Sequence, residues 1–191
     1  MTARHLGNVP AQNRRLTNVV MMGMGEPMLN FDNVVRAMSV MRDDLGYGLT
    51  NKRVTLSTAG VVPMIDRLAL ASDVSLAVSL HAPNDKIRRE LIPWASYTTI
   101  EDLLTACQRW FHKTGREITL EDIMLGGVHD QTVHARELAD VARTRRANVN
   151  LIRYNEVEGL PFQRPRTDDV LKFQEVLRSR PLERQPLDLV V

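Results

Sequence analysis

The residues with the clearest chemical potential are Gly23-Met-Gly-Glu-Pro27, which follow the apolar run Val19-Val-Met-Met22. An uninterrupted apolar run that stops at glycines reads as a buried strand of a parallel sheet with a loop at its carboxyl end. In such folds ligands bind along that edge. Glycine adopts backbone shapes that other residues resist and lets a ligand approach the main chain closely. Glu26 then places a carboxylate at the strand tip. Pro27 restricts Glu26 to extended or turn geometry and brings no N–H of its own. A carboxylate so placed suits a cationic ligand group such as an amine. For a short glycine motif taken alone, a tight turn with a solvated Glu is the equally open alternative.

Other polar side chains fall where apolar runs stop. Ser57 and Thr58 lie near the end of the run that begins at Arg53, Ser79 and His81 close Ser75-Leu-Ala-Val-Ser-Leu-His81, and Asn155 follows 148–153. Polar groups at the carboxyl ends of parallel strands, gathered on one rim, are how α/β folds build active sites. Any one strand can end in a polar loop residue without functional cause, so the weight lies in the set. His129 and His134 are five residues apart, a spacing that one helix face does not present to a metal. Taken singly, His81 reads as a hydrogen-bonded structural residue. Arg143, Arg145 and Arg146 read as a solvated helix end favoured by the helix dipole, with a phosphate contact as the minority reading. Met21, Met22, Met24 and Met38 read as core filler.

These residues need elements to hold them. The patterns predict strands at 18–22, 53–60, 75–81, 116–125 and 148–153, with helices at 31–45, 62–71, 86–91, 100–113, 132–145 and 168–178. Asn30 is a candidate N-cap and Gly46 a stop for the first helix. Asn84 or Asp85 can cap the third helix and Pro93 ends it. Thr99 caps the fourth, with Glu101 and Asp102 in its first turn, where negative charge suits the dipole. Strand and helix alternate throughout, which argues for a parallel α/β sheet, because each parallel return needs a crossover.

The totals agree with one such domain. The chain has 191 residues, 43% hydrophobic and 25% charged, an ordinary globular composition. A single cysteine, Cys107, excludes an internal disulfide framework and any cysteine-only metal or cluster site within the chain. A net charge of +2 is compatible with an RNA partner without arguing for one. No apolar run is long enough to span a bilayer and no signal segment opens the chain, so it reads as cytoplasmic, with no membrane partner.

Three segments, in order, carry a resemblance: Asn18-Val-Val-Met-Met-Gly-Met-Gly-Glu-Pro27, Arg53-Val-Thr-Leu-Ser-Thr-Ala-Gly-Val-Val-Pro63 and Leu76-Ala-Val-Ser-Leu-His-Ala-Pro-Asn-Asp85. Together they resemble the radical S-adenosylmethionine (SAM) enzymes that methylate adenine in ribosomal RNA. The likeness runs from about Thr17 to about Arg178. It implies an α/β fold, a partial (β/α)6 radical-SAM barrel of the TIM-like kind missing its first strand. It implies methylation of adenine C2 in 23S ribosomal RNA and in some transfer RNAs; a C8-methylating sibling shares much of the pattern. A cluster-free module that binds SAM or RNA without turnover is the alternative. The implied cofactors are SAM and a [4Fe-4S] cluster, and the implied partners are 23S rRNA, tRNA and a flavodoxin-like electron donor.

The resemblance also implies roles. Gly25 and Glu26 match the segment that binds the methionine amino group of SAM. Ser57 matches a cofactor-binding serine, Ser79, Leu80 and His81 a cofactor-binding strand end, and Asn155 the asparagine that ends the last barrel strand. The family holds its cluster in a Cys-x3-Cys-x2-Cys loop and uses a carrier cysteine near its C-terminus; Cys107, within a predicted helix, matches neither. No metal ligand and no catalytic cysteine is therefore expected in this chain, which is expected to be inactive by itself. The implied organisation is a lead-in over 1–17, a partial radical SAM core over 18–180 and a tail unlike the family over 181–191.

Overall fold

The computed structural model describes residues 16–145 and 147–179. Most of the predicted lead-in and all of the predicted tail lie outside the described residues. Five strands, β1 (Val19–Met21), β2 (Val54–Thr58), β3 (Ser75–Ser79), β4 (Ile118–Met124) and β5 (Ala147–Arg153), form one sheet in the order β1-β2-β3-β4-β5. Every neighbouring pair is parallel. The connections carry α1 (Phe31–Arg42), α2 (Val62–Ala71), α3 (Asp85–Leu91), α4 (Ile100–Thr114) and α5 (Thr132–Arg145), and α6 (Thr167–Ser179) follows β5. The alternation read from the sequence thus gives five βα units and an open, partial barrel wall.

Side chains on a strand alternate between faces, and the two faces of this sheet differ in chemistry. One face sends Leu56, Leu76, Val78, Leu120, Val149 and Leu151 into a core closed by Ile65 and Leu68 of α2, Leu103 and Trp110 of α4, Leu138 of α5 and Phe173 of α6. Helix α2 packs on α4, and α5 on α6. The other face carries Ser57, Ser79, Glu121 and Asn150. Register sets Ser79 beside Glu121 and Glu121 beside Asn150, so three polar side chains form one rung across three strands.

Local signals account for most helix ends. Asn84 Oδ1 accepts the Ile87 N–H at 3.1 Å and caps α3. Thr99 and Asp102 form a reciprocal capping box on α4, which ends at Gly115 with φ of 70°.

Helix α1 departs from expectation at both ends. It stops at Arg42, and not at Leu45, because Asp43 turns the chain: its carbonyl accepts the Gly46 and Gly48 N–H groups and its Oδ1 accepts that of Leu45. Leu45 is left fully exposed. Asn30 makes no side-chain cap, because a 3₁₀ turn over Pro27–Asn30 precedes the helix and Glu26 caps that turn instead. Of the four methionines read as core, Met38 is buried and Met21 packs against the core; Met22 and Met24 are exposed at the tip beyond β1.

Candidate cofactor-binding cleft

A cleft of about 520 Å³ opens at the carboxyl edge of the sheet, within the size range of small-molecule sites. The β1 tip, the β2–α2 turn, the end of β3 and the inner face of β4 enclose it, and Ile152 of β5 closes one side. Gly25, Glu26, Ser57, Ser79 and His81, expected from the sequence to share a site, all line it.

Glu26 is the best-anchored of these. Its Oε1 accepts the Met28 N–H at 2.9 Å, and its Oε2 accepts the Ala59 N–H at 2.7 Å. Extended backbone at Glu26 and the proline after it aim the carboxylate back over its own turn. Each oxygen keeps a second lone pair for a ligand donor. Gly23 and Gly25 take φ of 134° and 104°, and a Cβ at either would meet nothing within 4 Å. Conformation, not space, is what requires glycine there.

His81 is the one non-glycine residue with positive φ, 55°, among the described residues. Its Nδ1 accepts the Ile123 N–H at 3.2 Å. An accepting Nδ1 leaves the ring proton on Nε2, so His81 offers a neutral N–H donor. Burial, with the nearby Arg88 cation, pushes its pKa down to about 4, so the ring carries no charge at neutral pH.

Leu80 and Asn155 stand elsewhere. The Leu80 side chain is wholly buried in the core, and its N–H, like that of His81, donates to the Glu121 carbonyl at 3.0 Å. It ties β3 to β4 through its main chain. Asn155 is exposed one residue beyond Tyr154 and is not among the residues lining the cleft.

Sequence reasoning passed over Glu121. It is 4% exposed, lines the cleft and accepts a hydrogen bond from the Asn150 side chain. Burial raises its pKa. The available signal was an acidic pair, Glu121-Asp122, in the middle of an otherwise apolar strand. Alternation sends the two carboxyls to opposite faces, one to the cleft and one to the core.

Asp122, on the core side, is wholly buried, as is His129. The His129 Nε2 to Asp122 Oδ1 separation of 3.8 Å is too long for a hydrogen bond. His129 and His134 do meet, with ring centroids 6.5 Å apart, because His129 precedes α5 and does not share its face.

Residues 4–139 match the radical SAM superfamily. The chain belongs to the radical SAM superfamily. It is 56% identical over 187 residues to the dual-specificity RNA methyltransferase RlmN of Xylella fastidiosa, and 54% identical to that of Stenotrophomonas maltophilia. These alignments cover 93% of this chain, and 46% and 47% of the relatives, so the chain spans about half their length. Among solved structures, a radical SAM methyltransferase from Sphaerobacter thermophilus superposes with a TM-score of 0.89 at 40% identity, over 98% of this chain and 54% of that one. A domain of pyruvate-formate lyase-activating enzyme from Bacteroides vulgatus superposes at 0.67 with 13% identity, over 92% of this chain and 99% of that one, and shares the fold.

A radical SAM cluster needs thiolates. Cys107 is the sole cysteine, and it is buried in α4 on the core side of the sheet. Among the described residues no group of three or more His, Cys, Asp or Glu can hold a metal ion. The residues present do not fit an iron–sulfur cluster. They do fit the SAM half of such a site: a cleft of sufficient size, with an anchored carboxylate at one end and neutral hydroxyl and imidazole donors along its wall. Among the described residues no helix is long and apolar enough to cross a membrane.

Proposed function

We propose that residues 18–180 form the SAM-binding part of a radical SAM core, a partial (β/α)6 barrel. We place the chain in an enzyme that methylates adenine C2 of 23S rRNA and of tRNA in the cytoplasm, supplied with electrons by a flavodoxin-like donor. The observation that carries this reading is the anchored Glu26 carboxylate, facing a cleft walled by Ser57, Ser79 and His81. The high identity to dual-specificity RNA methyltransferases supports the substrate class.

SAM bound there would supply a methyl group and a 5′-deoxyadenosyl group on a sulfonium centre. The chain's own residues orient it. Glu26 accepts the methionine ammonium, a charge-assisted hydrogen bond strengthened by partial burial. Gly23 and Gly25 let the ligand lie against main chain. His81 donates from Nε2 without adding positive charge beside the sulfonium. Ser57 and Ser79 supply hydroxyls, and Ile123 and Ile152 exclude water.

No step that requires a cluster is assigned to this chain, since Cys107 is remote from the cleft. The chain alone therefore binds SAM without cleaving it. Two measurements test this. Equilibrium dialysis should show saturable binding of SAM at one site. Anaerobic treatment with iron and sulfide should leave no cluster and no SAM cleavage; iron and sulfide in cluster stoichiometry with turnover would overturn the assignment.

A further inference from the structure

Arg88, on α3, is wholly buried and takes part in no ion pair among the described residues. Its Nη2 donates to the Ala59 carbonyl at 2.8 Å and its Nη1 to the Thr98 carbonyl at 3.3 Å, while Nε has no partner. Burying a cation is costly, and burial pushes its pKa below the ordinary guanidinium value, against a smaller opposing pull from the Asp85 carboxylate. An apolar side chain would fill that volume without the cost. What the guanidinium holds is the reason to look further.

It holds the turn between β2 and α2 from behind. Trp94 Nε1 donates to the next carbonyl, that of Gly60, at 3.2 Å. The turn is also pinned in front, where the Ala59 N–H donates to Glu26 at 2.7 Å and Thr58 Oγ1 accepts the Gly60 N–H at 3.1 Å. Gly60 has φ of 103°, and a Cβ there would meet Leu103 Cδ1 at 3.0 Å and Arg88 Nη2 at 3.3 Å. Little room is left for the turn to shift without moving Arg88.

We infer that Arg88 is a positioning residue for the ligand's ammonium group: it fixes the Ala59 turn, and the Ala59 N–H sets the Glu26 carboxylate. Arg88 itself does not line the cleft. The inference rests on the reading of the cleft as a SAM site, and it goes beyond that reading by assigning a buried cation to recognition of a cationic group through one intervening peptide turn. A guanidinium directly facing the ammonium would repel it; Arg88 stands behind a carbonyl and reaches Glu26 through the turn.

The test uses this chain with Arg88→Met, Arg88→Lys and Glu26→Gln. Amide hydrogen exchange is read first, without ligand. Arg88→Met should speed exchange of the Ala59 amide about tenfold or more while the Leu56 amide, within β2, keeps its protection. Unchanged protection at Ala59 overturns the inference. Affinity is read second, for SAM and for 5′-methylthioadenosine, which lacks the amino-acid portion. Arg88→Met should weaken SAM about tenfold and methylthioadenosine less than twofold, and the Arg88→Met/Glu26→Gln double variant should bind SAM no worse than Glu26→Gln alone. Equal weakening of both ligands, or additive effects, assigns Arg88 a purely structural role and overturns the inference. Should Arg88→Met fail to fold, Arg88→Lys is read by the same two criteria. A wild-type chain that binds no SAM, with the Ala59 amide still loosened by Arg88→Met, refutes the SAM reading and leaves the link between Arg88 and the turn standing.

Discussion

Glu26 and Ala59, 33 residues apart in sequence, are joined by a hydrogen bond of 2.7 Å from the Ala59 N–H to Glu26 Oε2. The bond fastens the tip of β1 to the turn after β2, so one carboxylate joins two walls of the cleft. Glu26→Ala removes acceptors for two main-chain donors, at Met28 and Ala59. Bonds to charged groups contribute about 1.5–3 kcal/mol each, less where water can replace the acceptor. Urea unfolding of Glu26→Ala should show a loss of about 1–3 kcal/mol; an unchanged midpoint would contradict the anchoring role.

Gly60 offers a separate test of that turn. Its positive φ and the close approach of Leu103 and Arg88 make Gly60→Ala both strained and crowded. A loss of roughly 2–4 kcal/mol is expected. Gly25→Ala has strain without crowding, since nothing stands within 4 Å of its Cβ position, and should lose only about 1–2 kcal/mol. Thermal melts of the two variants should keep that order.

The βα order, the α2, α3, α4 and α5 helices and the gathering of Gly25, Glu26, Ser57, Ser79 and His81 were legible because they rest on local pattern: apolar runs, caps and glycine stops. What was not legible depended on register and facing. Glu121 and Asn150 matter because β4 and β5 pair in one register, which no single stretch of sequence states. Leu80 and His81 are neighbours just beyond β3 with opposite fates, core and cleft, and His81 takes a positive φ of 55° there. The early end of α1 came from the Asp43 turn, whose side-chain and carbonyl bonds compete with helix continuation. Arg88 is one of several charges in Asp85–Leu91, and nothing in the local sequence marks it as the buried one.

The Asp122–His129 contact predicts opposed pH dependences. Burial raises the Asp122 pKa from 3.8 to about 7. Its contribution is full below the unfolded value and is lost as pH rises through about 7. Burial lowers the His129 pKa from 6.5 to about 4, with the adjacent His134 adding to the effect. Its contribution is full above the unfolded value and is lost as pH falls through about 4. Across the shared window the two slopes oppose each other in the wild-type chain. Relative to wild type, Asp122→Asn should gain stability with rising pH, and His129→Gln should lose it, each by up to about 1.4 kcal/mol per pH unit. Denaturant titrations between pH 4.5 and 6.5 read both, and parallel profiles for all three proteins would contradict the assignment.

His81 should be neutral with its proton on Nε2 at pH 7, given an Nδ1 that accepts from Ile123 and a pKa pushed down to about 4. Imidazole ¹⁵N shifts distinguish the tautomers and the cation directly. A protonated Nδ1 at neutral pH would contradict the hydrogen bond and remove the neutral donor from the cleft.

Glu121→Gln keeps the size and the Asn150 contact while removing the ionisable group. If Glu121 contributes to ligand orientation, SAM affinity should fall about three- to tenfold with no loss of stability, because burial disfavours its charged form. Calorimetric affinity and a urea midpoint, measured on one preparation, separate the two effects.

The most direct test of the whole account is a calorimetric titration of SAM into the wild-type chain and into Glu26→Ala under identical conditions. One saturable site in the wild type, with affinity reduced at least about tenfold in a folded Glu26→Ala, is the result predicted by an ammonium held on an anchored carboxylate. Equal affinity in the two proteins would contradict it, and would remove Glu26 from the site around which the rest of the cleft is interpreted.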